Sequence, residues 1–299
     1  MPLWIPVTLF AAFAQNLRFM LQRHLKVTGL STAGATFARF FYSAPLVALI
    51  AMSYATLRDL PFPELSARFW IAATLGGSSQ ILATMCVVAL FAHRSFGVGI
   101  TFKKTEVMLT ALVGFVVLGE AVTWGGAAAI AVGFVGVVIL SDPPDASGDW
   151  RRLLNKGVAL GLASGLLFGF SAIGYRAASL AIDSTDVFQR ASVTLMCVTA
   201  FQTALMAAYL GWRERGEITR VAASWRVSSL VGLTSLAGSL AWFTAFTLQN
   251  AAYVKALGQI ELVFSFLAST FVFRETTTPR EILGVCSIVA SVLLLVLTL

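Results

Sequence analysis

Charge is scarce along this chain. Asp, Glu, Lys and Arg together make up 12% of its 299 residues, about half of the roughly 25% found in soluble domains. Hydrophobic residues make up 58% of the chain, and the mean hydropathy is +0.84. Long uncharged runs recur over the whole length, which excludes a large soluble α-helical domain and predicts an integral membrane protein.

The sequence also lacks the common signatures of enzymes and metal sites. The histidines, His24 and His93, belong to no HExxH or Cys/His cluster, and Cys86, Cys197 and Cys286 have neither disulfide nor zinc spacing. No Walker loop, GxSxG elbow or GxGxxG turn is present. We therefore expect neither an enzyme nor an ATP-driven pump, and no cofactor or metal. No basic patch with interleaved aromatic residues lies outside the apolar runs, so nucleic acid is excluded as a partner.

Ten segments are apolar and long enough to cross a bilayer, which takes about 20 residues. These predicted spans cover residues 2–22, 34–57, 69–92, 96–118, 122–140, 157–180, 186–210, 225–248, 252–273 and 281–299. A polar, proline-containing loop at 141–156 divides them five against five, because proline cannot continue a helix there.

The two halves repeat one another. In the stretch 102–120 a glutamate opens an apolar run at Glu106 and another closes it at Glu120; the stretch 258–275 does the same with Glu261 and Glu275, 155 residues later. Five spans per half make the halves cross the membrane in opposite directions. The predicted fold is all-α, with ten transmembrane helices as two inverted five-helix repeats, 1–140 and 157–299.

These features resemble the drug/metabolite transporter superfamily, EamA branch, over essentially the whole chain. The matching pieces are Leu118-Gly119-Glu120 and Phe273-Arg274-Glu275 at the ends of spans four and nine, each followed closely by a span rich in Gly, Ala and Val. The resemblance implies a secondary transporter with a central cavity that exports amino acids, related metabolites or drugs. Members usually have a proline near the places of Val107 and Leu262, so no proline kink is expected here.

Glu106 and Glu261 are the first candidate site residues. Each lies about 14 Å into its span, near the bilayer midplane, where a charge costs roughly 2.5–3.5 kcal/mol on insertion scales and is a functional hypothesis by default. We predict that they flank the substrate site and exchange a proton. The alternative is a structural ion pair with Lys103 or Lys104, since Lys103 precedes Glu106 by three residues on the same helix face.

Lys103 and Lys104 either hold a substrate carboxylate or extend to the headgroups, and for Lys255, at the start of span nine, we expect the second arrangement. Arg18 and Arg39 near one face, and Arg176 and Arg190 near the other, form a predicted pair of gates, with interfacial anchoring as the alternative. The remaining candidates are polar or aromatic residues at cavity depth, with helix packing as their alternative role: Gln80, Trp242, Tyr175, Gln259 and Asn16.

If the two residues at each end of a span are left out, the spans contain seven cations against two carboxylates, which favours a substrate with a negative group. The sequence thus predicts an inner-membrane secondary transporter, with export the expected direction, of an amino acid or other carboxylate, coupled to protons. An uncoupled facilitator or exchanger, an exporter of cations and a membrane scaffold or sensor without transport stay open, as do a monomer and a homodimer.

Loop charges predict the orientation, because Lys and Arg concentrate in cytoplasmic loops. One set of loops is basic throughout, whereas the opposite set carries only Arg58 and Arg68. Both chain ends should therefore face away from the cytoplasm. Paired reporter fusions at Leu299, one active only in the cytoplasm and one only outside it, test this. Activity of the cytoplasmic reporter alone would contradict it.

Overall fold

A computed structural model describes residues 1–27, 29–90, 103–141, 156–264 and 278–298, and within these ranges the chain is helical without a strand. The helices are α1 (Trp4–Val27), α2 (Thr32–Leu57), α3 (Ala67–Leu90), α4 (Glu106–Leu118), α5 (Trp124–Ser141), α6 (Lys156–Leu180), α7 (Val187–Arg213), α8 (Glu217–Ala223), α9 (Trp225–Leu248), α10 (Ala251–Leu257) and α11 (Pro279–Thr298).

The all-helical prediction is confirmed, and α2, α3, α6, α7 and α9 are long and apolar enough to cross a membrane. Three shorter apolar helices cover 106–118, 124–139 and 282–298. The start of predicted span four and the end of predicted span nine, including Arg274 and Glu275, lie outside the described residues. The count of ten spans and the inversion of the halves stay predictions.

Apolar side chains cover the outside of the bundle while charged ones lie within it. Val116 is 73% exposed and Leu75 is 65% exposed, whereas Lys104 and Arg39 are each 3% exposed. A soluble protein has the opposite distribution, because water favours charges outside. The arrangement suits a bilayer, where charged groups face the protein interior.

The helices pack in pairs that join the two halves. The main contacts are α1 with α9, α3 with α6, α2 with α7, α4 with α6 and α10, and α5 with α11. At the crossing of α3 and α6, a Cβ built on Gly174 would lie 2.8 Å from Gly76 Cα and 2.9 Å from the Ala72 carbonyl oxygen. Glycine therefore lets two backbones approach to a distance that no side chain would permit.

Helices α5 and α11 form a peripheral pair on the same principle. A Cβ on Gly133 would lie 2.6 Å from Ser291 Oγ, and one on Gly136 would lie 2.8 Å from Ser287 Cβ. The hydroxyl of Ser291 also donates to the Ala129 carbonyl at 2.7 Å. The small residues of α5 therefore pack within the chain, against α11.

Gly119 explains the Leu118-Gly119-Glu120 motif. Its φ of 68° lies in the left-handed region, where glycine avoids the cost that a Cβ would carry. Its backbone N–H donates to the Phe115 carbonyl at 3.1 Å, which ends α4. The chain then turns, and Glu120 lies beside α6.

The α3–α6 crossing gives a stability test with a matched control. Gly174→Ala introduces a methyl group against backbone atoms, so we expect a loss of about 1–3 kcal/mol in the free energy of unfolding. Gly211→Ala is the control, because Gly211 is also helical but a Cβ there meets nothing within 4 Å. Thermal unfolding in neutral detergent compares the two. Equal melting temperatures for both variants would contradict the described crossing.

Candidate functional site

A cleft at the centre of the bundle is the candidate site. Its envelope encloses about 440 Å³, including its mouth, and its lining comes from α1, α2, α3, α6, α9 and α10. The cations Arg18, Arg39 and Lys255 line it. Polar and aromatic residues from both halves complete the wall, among them the predicted Gln80, Tyr175 and Trp242.

Arg39 projects from α2 into a set of hydroxyl groups. Its Nε donates to Ser235 Oγ at 3.1 Å, its Nη1 to Thr84 Oγ1 at 3.2 Å and its Nη2 to Ser239 Oγ at 3.3 Å. These bonds hold the guanidinium in one orientation but supply no negative charge. Within the described ranges, no carboxylate oxygen lies within 4.0 Å of it.

Arg18 is the second cation of this wall. It is 3% exposed, and its guanidinium carbon lies 4.4 Å from the centroid of the Phe19 ring. Its Nη1 is buried and has no hydrogen-bond partner among the described residues. We expected Arg18 near one face of the membrane, but α1 continues to Val27, well beyond the predicted span end. Arg18 and Arg39 therefore lie inside the cleft, and interfacial anchoring does not describe them.

The two glutamates form ion pairs that cross between the halves. Lys104 contacts Glu261 directly, and Lys103 Nζ lies 3.7 Å from Glu261 Oε1. The Gln15 amide donates to Glu261 Oε2 at 2.9 Å. The ion pairs of both glutamates within 4.0 Å thus join the two halves, and Lys103 also attracts Glu106 electrostatically within the first half.

The reciprocal pair joins Lys255 of the second half to Glu106 of the first, with Nζ and Oε2 3.8 Å apart. Lys255 is 7% exposed, so the expectation that it extends to the headgroups is wrong. Its ammonium lies 5.1 Å from the Trp242 ring centroid, 5.4 Å from that of Phe168 and 5.9 Å from that of Phe246. Three aromatic faces and a carboxylate together stabilise this buried ammonium.

Each glutamate follows an interruption in its helix. A turn at 104–105 precedes Glu106, and the 3-10 turn Gly258–Ile260 precedes Glu261. Tight contacts accompany both: a Cβ on Gly258 would lie 2.5 Å from the Trp242 ring, and one on Gly165 would lie 2.9 Å from the Lys103 carbonyl. The breaks therefore occur without proline, at places where glycine admits a neighbouring group.

A hydrogen-bonded network forms another part of the wall. The Tyr175 hydroxyl donates to Gln80 Oε1 at 2.7 Å, and the Gln202 amide donates to Gln80 Oε1 at 3.1 Å and to the Gly77 carbonyl at 3.0 Å. Gln202, Ser235 and Thr84 were missed by the sequence analysis. Gln202 could have been found by the signal that marked Gln80, which is an amide side chain in the middle of a predicted span.

The other predicted residues lie beside the cleft. Gln259 is 5% exposed, its Oε1 has no hydrogen-bond partner, and it lines a smaller cavity together with Lys104. Asn16 is half-buried on α1, and its neighbour Gln15 is the residue that contacts Glu261.

Arg176 and Arg190 are not among the residues that line the cleft. Arg176 donates to Glu120 Oε1 at 2.6 Å, to the Phe246 carbonyl at 2.6 Å and to the Gln249 carbonyl at 2.8 Å. It therefore joins α6, the turn after α4 and the end of α9. Arg190 donates to the Ser179 carbonyl at 2.9 Å. A gating role for the four arginines stays a prediction.

Comparison with known proteins agrees with this architecture. Residues 155–297 match the model of the EamA-like transporter family. A solved crystal structure, described only as that of a protein, superposes with a TM-score of 0.71 at 12% identity, covering 99% of this chain and 98% of its own. At that identity the likeness shows the fold alone. No curated protein matches the chain.

A helical bundle with apolar side chains outside and a charged cleft within is the architecture of a multi-pass membrane protein. The family match indicates that this membrane protein is a transporter. The second half of the chain is thus similar to the EamA-like transporter family. This confirms the predicted resemblance and supports the expectation that the protein is not an enzyme. Substrate and mechanism are a separate question.

The crossed pairs predict an asymmetry between their two partners. Glu261→Gln leaves Lys103 and Lys104 without their shared carboxylate, and removing one partner of a buried pair costs about 3–5 kcal/mol. Lys104→Gln should cost less, because Lys103 still faces Glu261 and one repelling cation is gone. Unfolding in neutral detergent measures both, with Arg68→Gln as an exposed control. A Glu261→Gln variant as stable as Lys104→Gln would refute the pairing.

Proposed function

We propose that the protein is a secondary active transporter of a small polar metabolite with a negative group, such as an amino acid or another carboxylate. One observation carries this proposal. Arg18, Arg39, Lys103, Lys104 and Lys255 are all buried around the cleft, and only Glu106 and Glu261 oppose them there in the described part of the chain. A substrate anion offsets the excess positive charge, which is costly in a low-dielectric interior.

The helix pairing supports inverted repeats as the basis of transport. Each span of the first half corresponds to the span five places later in the second half. The contact between the first and eighth spans therefore corresponds to that between the sixth and third. The second–seventh, fourth–ninth and fifth–tenth contacts are each their own counterpart. Such reciprocity is the signature expected of a pseudo-two-fold axis in the membrane plane. Rocking of residues 1–140 against 157–299 then exposes the cleft to each side in turn.

The crossed ion pairs supply a coupling mechanism. A substrate carboxylate bound at Arg18 and Arg39 lies in the same cleft as Lys255, where it competes with Glu106 for the Lys255 ammonium. Glu106, released from its partner in a site of low dielectric, takes up a proton because the neutral acid needs no counter-charge there. Glu261 does the same when Lys103 and Lys104 are engaged. Substrate binding and proton binding are thereby linked through shared lysines.

Direction and location rest on the family resemblance and on loop charge. We propose export across the inner membrane, with Arg18 and Arg39 serving the cleft on one side and Arg176 and Arg190 on the other. Arg176 fits a gate because its bonds to Glu120 and to the end of α9 must break when α6 moves away from these elements.

An uncoupled exchanger is the second candidate. The specific observation in its favour is that both glutamates already face lysines, so they serve structure alone if those pairs persist throughout the cycle. A scaffold without transport has no use for a charged cleft, because burying the charges destabilises the protein.

Proteoliposomes distinguish the two transport modes. Under the coupled mechanism, Glu106→Gln abolishes accumulation driven by a proton gradient but retains substrate exchange at equal pH, because a neutral amide cannot release a proton. Glu261→Gln behaves alike if it still folds. Wild-type protein and Arg68→Gln are the references. Gradient-driven accumulation that is unchanged in both variants would refute coupling and favour the exchanger.

A further inference from the structure

We propose that the cleft selects a net anion with a planar aromatic body, whose carboxylate binds between Arg18 and Arg39 and whose ring packs against Trp242. This deepens the proposed transport function and rests on it. Three independent features of the cleft support the inference. They are the missing counter-charge of its arginines, the pairing of its carboxylates with lysines and the aromatic side chains of one wall.

The arginines define the anionic end of the ligand. The three hydrogen bonds of Arg39 described above go to hydroxyl oxygens, which orient the guanidinium without neutralising it. Arg18 faces the same cleft with a buried, unpartnered Nη1. A carboxylate matches such planar donors with two oxygens and supplies the missing charge.

The engagement of the carboxylates argues for a net anion over a zwitterion. An amino acid needs a negative or strongly polar partner for its ammonium group. Glu106 faces Lys255, and Glu261 faces Lys103, Lys104 and Gln15. Both carboxylates thus already face cations of the chain. Glu261 is in direct contact with Lys104. Glu106 Oε2 lies 3.8 Å from Lys255 Nζ and accepts no hydrogen bond from the described residues. An ammonium group would have to displace a tethered lysine, whereas an anion adds to a surplus of positive charge.

One wall of the cleft is aromatic. Trp242 stacks on Phe246 with ring centroids 5.6 Å apart, and Tyr175 stacks on Phe243 at 4.3 Å, and all four line the cleft. Rings so arranged favour a further ring in offset or edge-on contact. Trp242 is 8% exposed, and no described residue accepts a hydrogen bond from its Nε1–H, so the indole also offers a polar ligand group a free donor.

Four probes of similar shape separate charge from ring. They are 3-phenylpropionate (anion, aromatic), 3-cyclohexylpropionate (anion, not aromatic), phenylalanine (zwitterion, aromatic) and phenethylamine (cation, aromatic). Binding to the purified full chain in neutral maltoside detergent is measured by titration calorimetry. The expected order of affinity places 3-phenylpropionate first, about 2- to 10-fold tighter than its cyclohexyl analogue, and tighter than phenylalanine.

Substitutions test which residues contact the carboxylate and which contact the ring of the ligand. Arg39→Gln and Arg18→Gln should each weaken 3-phenylpropionate on the order of 10- to 100-fold, the usual effect of removing a charged hydrogen bond. Arg39→Lys keeps the charge and serves where Arg39→Gln fails to fold. Trp242→Leu should abolish the preference for phenyl over cyclohexyl, and Trp242→Phe should keep it. Arg68→Gln, exposed and away from the cleft, should leave all affinities unchanged.

Several results would overturn the inference. Equal affinity for the two propionates removes the aromatic selection, and tighter binding of phenylalanine removes the net-anion selection. Affinity that is insensitive to both arginines places the anion elsewhere. If none of the aromatic probes binds but a small aliphatic carboxylate is accumulated in proteoliposomes, this inference fails while the proposed function survives. Binding of phenethylamine alone contradicts both.

Discussion

Two buried ion-pair clusters that cross between the halves of the chain are the contacts on which the rest of the structure depends. Lys103 and Lys104 of the first half face Glu261, and Lys255 of the second half faces Glu106. A lone charge in this apolar bundle is costly, so each half stabilises charges that the other brings. Two close contacts at glycine follow from this. Gly165 of α6 lies against Lys103, and Gly258 lies against Trp242 of α9, which makes room for the interrupted helices that carry the pairs.

The same pairing makes the bundle suited to movement. Ion pairs exchange partners more readily than an interlocked apolar core repacks, since a substrate anion or a proton substitutes for one member without leaving a void. The pairs lie beside a cleft with two further arginines, Arg18 and Arg39, and hydroxyl groups orient Arg39 without neutralising it. In the proposed mechanism, one small set of charges serves stability, selectivity and coupling.

The sequence was sufficient for the membrane class, the position of most helices and the burial of Glu106 and Glu261, since these follow from composition and run length. It did not reveal the partners. Helical spacing suggested Lys103 with Glu106, whereas the folded chain brings Glu261 to Lys103 from more than 150 residues away. Lys255 and Arg18 seemed near span ends because α1 is longer than its apolar core and α10 is interrupted early. Such placements depend on tertiary contacts that local pattern does not encode.

The central claim is that the surplus cations of the cleft hold the anionic part of the substrate. Crystals grown with sodium iodide test it directly, because iodide is an anion whose anomalous scattering locates it without assumptions about chemistry. The account predicts an iodide peak in the cleft within contact distance of Arg18 or Arg39, lost in the Arg39→Gln variant. Iodide found only at loop arginines, with the wild-type cleft devoid of a peak, would contradict it.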